Sequence, residues 1–280
     1  MNTSNQLKAL INNKAKKFDL SPQILLTRFF MERFLERISL SSYKNNLILK
    51  GGILISSMVG IESRMTKDMD LTVKNLALND AYIKNVLEEI AKINLNDGTI
   101  LEILDVLPIR EDFDYIGFRA RIFCKLDKTK NIIQIDITTG DIITPREVIY
   151  SYSLLTENRK IDITCYPIET ILAEKIESIL SKNILTTRVK DFYDCYVLSK
   201  LYLPTLNKND LILALKNTAK VRKTQLILND AKSTINLMGD DVNLKSLWIS
   251  YASQFEYAES ISFEETINQL ILILKFIDLM

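Results

Sequence analysis

Apolar residues recur along this chain with two different periods, and the change from one to the other falls near residue 165. Before that point, short apolar runs bounded by turn residues predict strands over 47–50, 68–73, 100–106, 117–125, 132–138 and 160–165. Ser21-Pro22 reads as an N-cap followed by proline at the first helical position. Leu25, Phe29, Phe34, Leu35 and Ile38 then follow at near-helical spacing to about Leu40. Further helices are predicted over 53–59 and about 79–92. From Pro167 onward the period is helical almost without break, and Ser262-Phe263-Glu264-Glu265 is a capping-box signature ahead of an apolar helix over 267–279. The expected fold class is α/β of the α+β kind: strands with flanking helices over residues 1–165, then an all-helical domain over 166–280 that contributes to a shared cleft.

Within this pattern, residues 47–73 place chemistry at strand ends. An apolar run ends in Lys50-Gly51-Gly52, a short helix follows, and after a polar loop with Arg64, Thr66 and Lys67 comes Asp68-Met69-Asp70. On a strand, alternate side chains share a face, so Asp68 and Asp70 are expected side by side with Met69, Leu71 and Val73 on the core side. Two carboxylates aimed at one point need a cation or a proton between them, and hard oxygen ligands beside a glycine turn suit Mg²⁺ carrying a triphosphate, with Mn²⁺ as a substitute. Gly51 and Gly52 let backbone N–H groups approach a phosphate at a helix N-terminus, and Lys50, Arg64 and Lys67 can add positive charge there.

A third acid comes from residues 132–138, where Ile133, Ile135 and Ile137 alternate onto one face and leave Asp136 on the other. If that strand neighbours Asp68–Val73, Asp136 joins the pair across one strand spacing of ~5 Å, and three acids suffice for two metal ions ~4 Å apart. In the helix after Pro167, Lys175 lies within the apolar stripe Ile168, Ile171, Leu172, Ile176 and Ile179. An inward lysine needs an anion: the expected one is a triphosphate in the cleft, against the readings of a structural ion pair or of a lysine that snorkels to the surface. Arg188-Val189-Lys190-Asp191 and Asp194 follow; Asp191 is expected to orient either the acceptor hydroxyl or Lys175, and Asp194 to support the helix N-terminal region.

Composition narrows the chemistry. The chain of 280 residues contains no histidine, which excludes Ser-His-Asp and Cys-His machinery and histidine zinc sites. Three cysteines without C-x-x-C spacing argue against a disulfide framework, and a polar start without a secretory pattern points to a cytoplasmic protein with no membrane partner. Overall charge is +1, yet residues 1–50 hold nine Lys/Arg against three acids. That asymmetry suits a landing surface for a polyanion, and equally a solvated helical face.

In their order along the chain, Lys50-Gly51-Gly52, Arg64-x-Thr66-x-Asp68-x-Asp70, Ile135-Asp136-Ile137, Lys175 and Arg188-x-Lys190-Asp191-x-x-Asp194 resemble the AbiEii family of type IV toxin–antitoxin nucleotidyltransferases, relatives also described as MenT-type. The resemblance implies a nucleotidyltransferase-type mixed sheet followed by a helical domain. It implies Mg²⁺-dependent transfer of a nucleotide from an NTP, GTP or CTP among them, to RNA at the tRNA 3′ end, with growth arrest and phage defence as the setting. Family roles fall on Lys50, Thr66, Asp68, Asp70, Lys175 and Asp191, and a neighbouring antitoxin is implied that need not bind directly. Gly52 and Ile53 depart from the serine and threonine of relatives. Other readings are a nucleotidyltransferase for a small aminoglycoside-type acceptor and a non-catalytic GTP-binding module. The chain is expected to be a monomer.

Overall fold

Two helices lead the chain, α1 over Ser4–Phe18 and α2 over Pro22–Leu40, the latter with Pro22 in its first turn after Ser21. The structure, a computed structural model, describes residues 3–76, 79–110 and 116–280. Residues 28–38 of α2 are buried without a break, so this helix has no solvated face for its charges, and each must be paired inside the fold. Arg28 Nε donates to Glu32 at 2.9 Å, while Glu32 also accepts from the Tyr152 hydroxyl at 3.2 Å and the Leu155 N–H at 2.8 Å. Arg33 reaches Glu157 at 2.7 Å, and Arg37 donates to the Ile93 and Thr99 carbonyls. This corrects the surface reading of the N-terminal charge: Arg28, Arg33 and Arg37 hold the core together and cannot form a landing surface. Sequence spacing could not show it, because a helix enclosed on all sides and one with a charged outer face can share a composition. The exposed cations of the region are Lys8, Lys16, Lys17 and Lys44.

The chain divides into two units, one of residues 1–140 and 147–165, the other of 141–146 and 166–280. The first contains a seven-stranded mixed sheet. Its strands are β1 (Leu47–Lys50), β2 (Met69–Val73), β3 (Thr99–Arg110), β4 (Ile116–Leu126), β5 (Thr129–Thr139), β6 (Val148–Ser153) and β7 (Lys160–Cys165), in the order β3-β4-β5-β2-β1-β7-β6. β2 runs parallel to β5 and β1 to β7; the other neighbours are antiparallel. Helices α3 (Gly51–Val59) and α4 (Asp80–Ala91) complete the unit, α4 capped by the Asn79 side chain, which accepts from the Tyr82 N–H at 2.9 Å. Ile133, Ile135 and Ile137 of β5 and Ala120, Ile122 and Cys124 of β4 are buried, so one face of the sheet packs inward and the other keeps its polar side chains. β6 carries no predictive alternation: as an edge strand it buries only Tyr152.

The second unit is helical: α5 (Ile168–Lys182), α6 (Lys190–Tyr202), α7 (Lys208–Val221), α8 (Ala231–Asp240), α9 (Val242–Ala252), α10 (Glu256–Glu259) and α11 (Phe263–Phe276). Phe192, Tyr193, Trp248 and Phe263 form an aromatic cluster in its interior. The segment 141–146 is sewn into it by Thr144, whose N–H donates to Thr170 Oγ1 at 2.9 Å and whose carbonyl accepts from the same hydroxyl at 2.8 Å. Asn217 adds a 2.9 Å bond to Thr144 Oγ1. The capping box at α11 is present, with the Glu265 N–H on Ser262 Oγ at 3.1 Å and the Ser262 N–H on Glu265 Oε2 at 2.7 Å. Ser262→Ala should therefore cost about 1 kcal/mol, read as a shift of the urea midpoint at unchanged slope. Among the described residues, no helix is long and apolar enough to cross a membrane.

Candidate active site

β1 is apolar until Lys50, where the chain turns directly into α3. The turn favours glycine. Gly51 has φ +68°, and a Cβ there would stand 1.9 Å from Asp70 Oδ2. The next residue is under similar constraint, since a Cβ on Gly52 would lie 2.7 Å from Thr66 Oγ1. A side chain at Gly51 would therefore push the Asp70 carboxylate aside, and one at Gly52 would crowd the Thr66 hydroxyl.

Register explains how the acids meet. Lys50 of β1 is the cross-strand partner of Asp70 on β2, Asp70 is the partner of Asp136 on β5, and Asp136 is the partner of Arg119 on β4. One row across four strands therefore reads Lys50, Asp70, Asp136, Arg119. Asp70 and Asp136 are both half-buried. Neighbouring strands lie ~4.8 Å apart, so two like charges face each other at a spacing that calls for cations on the row, and a cation ends it on each side.

Asp68 departs from the strand reading. β2 begins at Met69, and Asp68 is an exposed residue of the preceding loop rather than the strand-mate of Asp70. The loop is shaped by Thr66, whose hydroxyl donates to the Asp68 carbonyl at 3.3 Å and accepts from its N–H at 3.5 Å, a serine/threonine turn. That turn stops the ladder one residue early. Asp68 nevertheless stays in the same neighbourhood, because its charge and that of Asp70 both act on the Arg119 guanidinium. Arg64 is buried and donates to the Met65 carbonyl, and Lys67 is exposed on the same loop.

Arg119 is the residue that reading the sequence missed. Its Nε and Nη2 each donate to one oxygen of Asp136 at 2.7 Å, a two-pronged pair that occupies both carboxylate oxygens. The hydrogen bond to Asp136, reinforced by the charges of Asp136, Asp68 and Asp70, raises the hold of Arg119 on its proton. A signal existed: β4 and β5 form a hairpin closed by Asp127 and Lys128, with Leu126 opposite Thr129. Counting back seven residues on each arm from that closing pair puts Arg119 opposite Asp136. With Asp136 turned to Arg119, no three acidic or cysteine side chains among the described residues converge tightly enough to hold a metal ion. The donor set itself, carboxylate oxygens alone, is the kind that Mg²⁺ and Mn²⁺ take.

The other predicted residues belong to the helical unit. Lys175 on α5 is buried, and its Nζ lies 2.6 Å from Asp191 Oδ1 and 2.9 Å from Asp194 Oδ2, both on α6. Asp191 Oδ2 also accepts from Arg188 Nε at 2.8 Å and from Ser178 Oγ at 3.2 Å. Two cations thus face two carboxylates that are fully buried. Burial alone would strip Lys175 of its proton, but Asp194 and Asp191 outweigh it and hold its pKa above the usual range. Burial would likewise push the Asp191 carboxyl up, and Lys175 and Arg188 overcome this and keep it below the usual range. Lys190 is exposed at the first residue of α6.

A family model described as nucleotidyl transferase AbiEii toxin, type IV TA system, matches residues 33–269. Among solved structures, a candidate nucleotidyltransferase from Helicobacter pylori is 18% identical with TM-score 0.52, over 92% of this chain and 98% of that one. JHP933 from Helicobacter pylori is 19% identical with TM-score 0.51, over 92% of this chain and 95% of its own. At such identities the likeness speaks for the fold alone. No curated protein matches the sequence.

Proposed function

The chain belongs to the AbiEii family of type IV toxin–antitoxin nucleotidyltransferases, and from that premise we propose that it transfers a nucleotide from an NTP to an RNA acceptor, the 3′ end of a tRNA, in the cytoplasm. The observation that carries this reading is the row across the sheet: Asp70 and Asp136 as direct partners on parallel strands, with Asp70 lying over the glycine at the amino end of α3. Membership of the family gives the chain a cognate antitoxin, and growth arrest in phage defence is the proposed setting.

In the proposed mechanism Asp68 and Asp70, with Asp136, would hold Mg²⁺. Bound there, the cation would lower the pKa of the attacking hydroxyl and neutralise the leaving pyrophosphate. The rest falls to the chain's own groups. Gly51 and Gly52 leave the backbone N–H groups at the start of α3 open to a phosphate, and the helix dipole favours its charge. Lys50, at the end of the row beside Asp70, adds positive charge for the triphosphate. Thr66 keeps the Asp68 loop in one conformation through its own backbone turn. Within the helical unit, Lys175 is proposed as a phosphate ligand in its own right and Asp191 as the group that positions it, the latter supported by the 2.6 Å bond between them.

The test is incubation of the protein with total RNA, Mg²⁺ and all four NTPs, followed by mass spectrometry of the RNA and assay of pyrophosphate. The expected result is tRNA lengthened at its 3′ end with one pyrophosphate released per nucleotide added, both lost in Asp68→Asn. Nucleotide binding without pyrophosphate release would overturn the reading.

A further inference from the structure

We infer that Arg119 is a displaceable counter-ion of Asp136, which holds that carboxylate while no divalent cation is bound, yields it to the cation, and then offers its guanidinium to a phosphate of the nucleotide. This rests on the reading of the site as a metal-dependent nucleotidyltransferase centre.

Both oxygens of Asp136 are taken by the fork of Arg119, at 2.7 Å each. A carboxylate so engaged has two of its roughly four lone-pair sites and most of its charge taken up by the guanidinium, so a cation seated between the two acids competes with Arg119 for Asp136. The pair can be displaced because it is not entombed: the Arg119 side chain is 44% exposed and that of Asp136 20%. Exposed ion pairs are weak and exchange readily. The freed group has a second use. A guanidinium presents to a phosphate the same parallel N–H pair that it presents to a carboxylate, and Asp68 and Asp70 are close enough to act on it electrostatically. The triphosphate proposed for those acids would therefore stand within its field.

The same strand carries an internal control. Arg121 is two residues further on, faces the same side of β4, and forks onto Asp105 of β3 with a similar exposure of 52%. It has the same charge and the same kind of partner, and it lies opposite Gln134 instead of an acid of the row.

The experiment is a titration of the full chain with Mn²⁺, followed by electron paramagnetic resonance of the free ion, in wild type, Arg119→Ala, Arg119→Lys, Arg121→Ala and Asp68→Asn. Arg119→Ala should bind Mn²⁺ about two- to fivefold tighter, the gain expected from removing an exposed competing pair, while Arg121→Ala matches wild type and Asp68→Asn binds more weakly. In turnover, Arg119→Ala should raise the KM for NTP, and Arg119→Lys, which keeps the charge without the fork, should recover part of it. Unchanged Mn²⁺ affinity in Arg119→Ala, or equal tightening in Arg121→Ala, would overturn the counter-ion role even with Asp68→Asn weakened. An unchanged KM would overturn the phosphate role. Wild-type Mn²⁺ binding by Asp68→Asn would overturn the metal reading beneath both.

Discussion

Lys175→Met is expected to destabilise the helical unit by about 3–5 kcal/mol, the cost of leaving a buried ion partner without its counter-charge. Asp191 and Asp194 have fully buried side chains, and both point their oxygens at this one ammonium. Arg188 neutralises one of them from the surface, and its own side chain is 46% exposed, so it cannot carry the load of both. Thermal and urea unfolding measure the loss, and a variant as stable as wild type would show that the cluster contributes nothing. Adding Asp191→Asn and Asp194→Asn to Lys175→Met removes the stranded charges and should restore part of the stability. The comparison separates folding from chemistry: a role of the ammonium in the reaction predicts that the restored triple variant still fails to incorporate nucleotide.

The pH dependence has a definite sign. Asp191 titrates below its ordinary value of 3.8 in the folded chain, so its stabilisation is complete above that value and is lost as pH falls through the lower folded one. Lys175 titrates above its ordinary 10.5, so its share is complete below that value and is lost as pH rises through the higher folded one. Wild type should hold this contribution on a plateau between the two ordinary values. Lys175→Met should change the acid side: protonation relieves the stranded carboxylates, so mild acid should stabilise the variant while the wild type stays on its plateau until pH falls below 3.8.

Gly51→Ala should lower kcat/KM for nucleotide transfer by about a hundredfold or more, with the chain still folded. Two effects act together. The residue sits at φ +68°, where a Cβ costs roughly 1–2 kcal/mol, and the added methyl would meet Asp70 Oδ2 at 1.9 Å. Ordinary contact begins near 3.4 Å, so the carboxylate has to retreat by more than an ångström, and misplacement on that scale costs on the order of 10²-fold. Gly52→Ala is the milder comparison, because the atom it meets at 2.7 Å is the hydroxyl of Thr66, the end of a short side chain. The measurement is steady-state incorporation alongside a melting curve. Activity near wild type in Gly51→Ala would show that the position of Asp70 is unimportant.

Much of this site could be read from local pattern. The alternation of Ile133, Ile135 and Ile137 is sufficient to turn Asp136 away from the core, and the glycine pair ahead of Asp68-x-Asp70 marks the tight turn from β1 into α3. Serial position alone could not show that β2 pairs with β5 across an intervening hairpin, since that depends on how the sheet is wound. Asp68 shows the limit of a period-two argument: a threonine hydroxyl two residues earlier bonds to its backbone and ends the ladder at Met69. The buried arginines of α2 were misleading for a related reason. A net charge summed along the chain carries no direction, and Glu157 and Thr99, which satisfy two of them, lie far away in sequence.

The helical unit takes up residues 141–146 before the chain returns to finish the sheet with β6 and β7. Neither half is contiguous, so one cut of the backbone cannot liberate either of them whole. A fragment beginning at Tyr166 would lack the Thr144 backbone that satisfies the Thr170 hydroxyl, and one ending at Gly140 would lack the last two strands of the sheet. During synthesis the stretch 141–146 leaves the ribosome well before the helices that must receive it. The sheet unit has all its strands once Cys165 has been made, whereas the segment 141–146 must wait for helices that are synthesised after it.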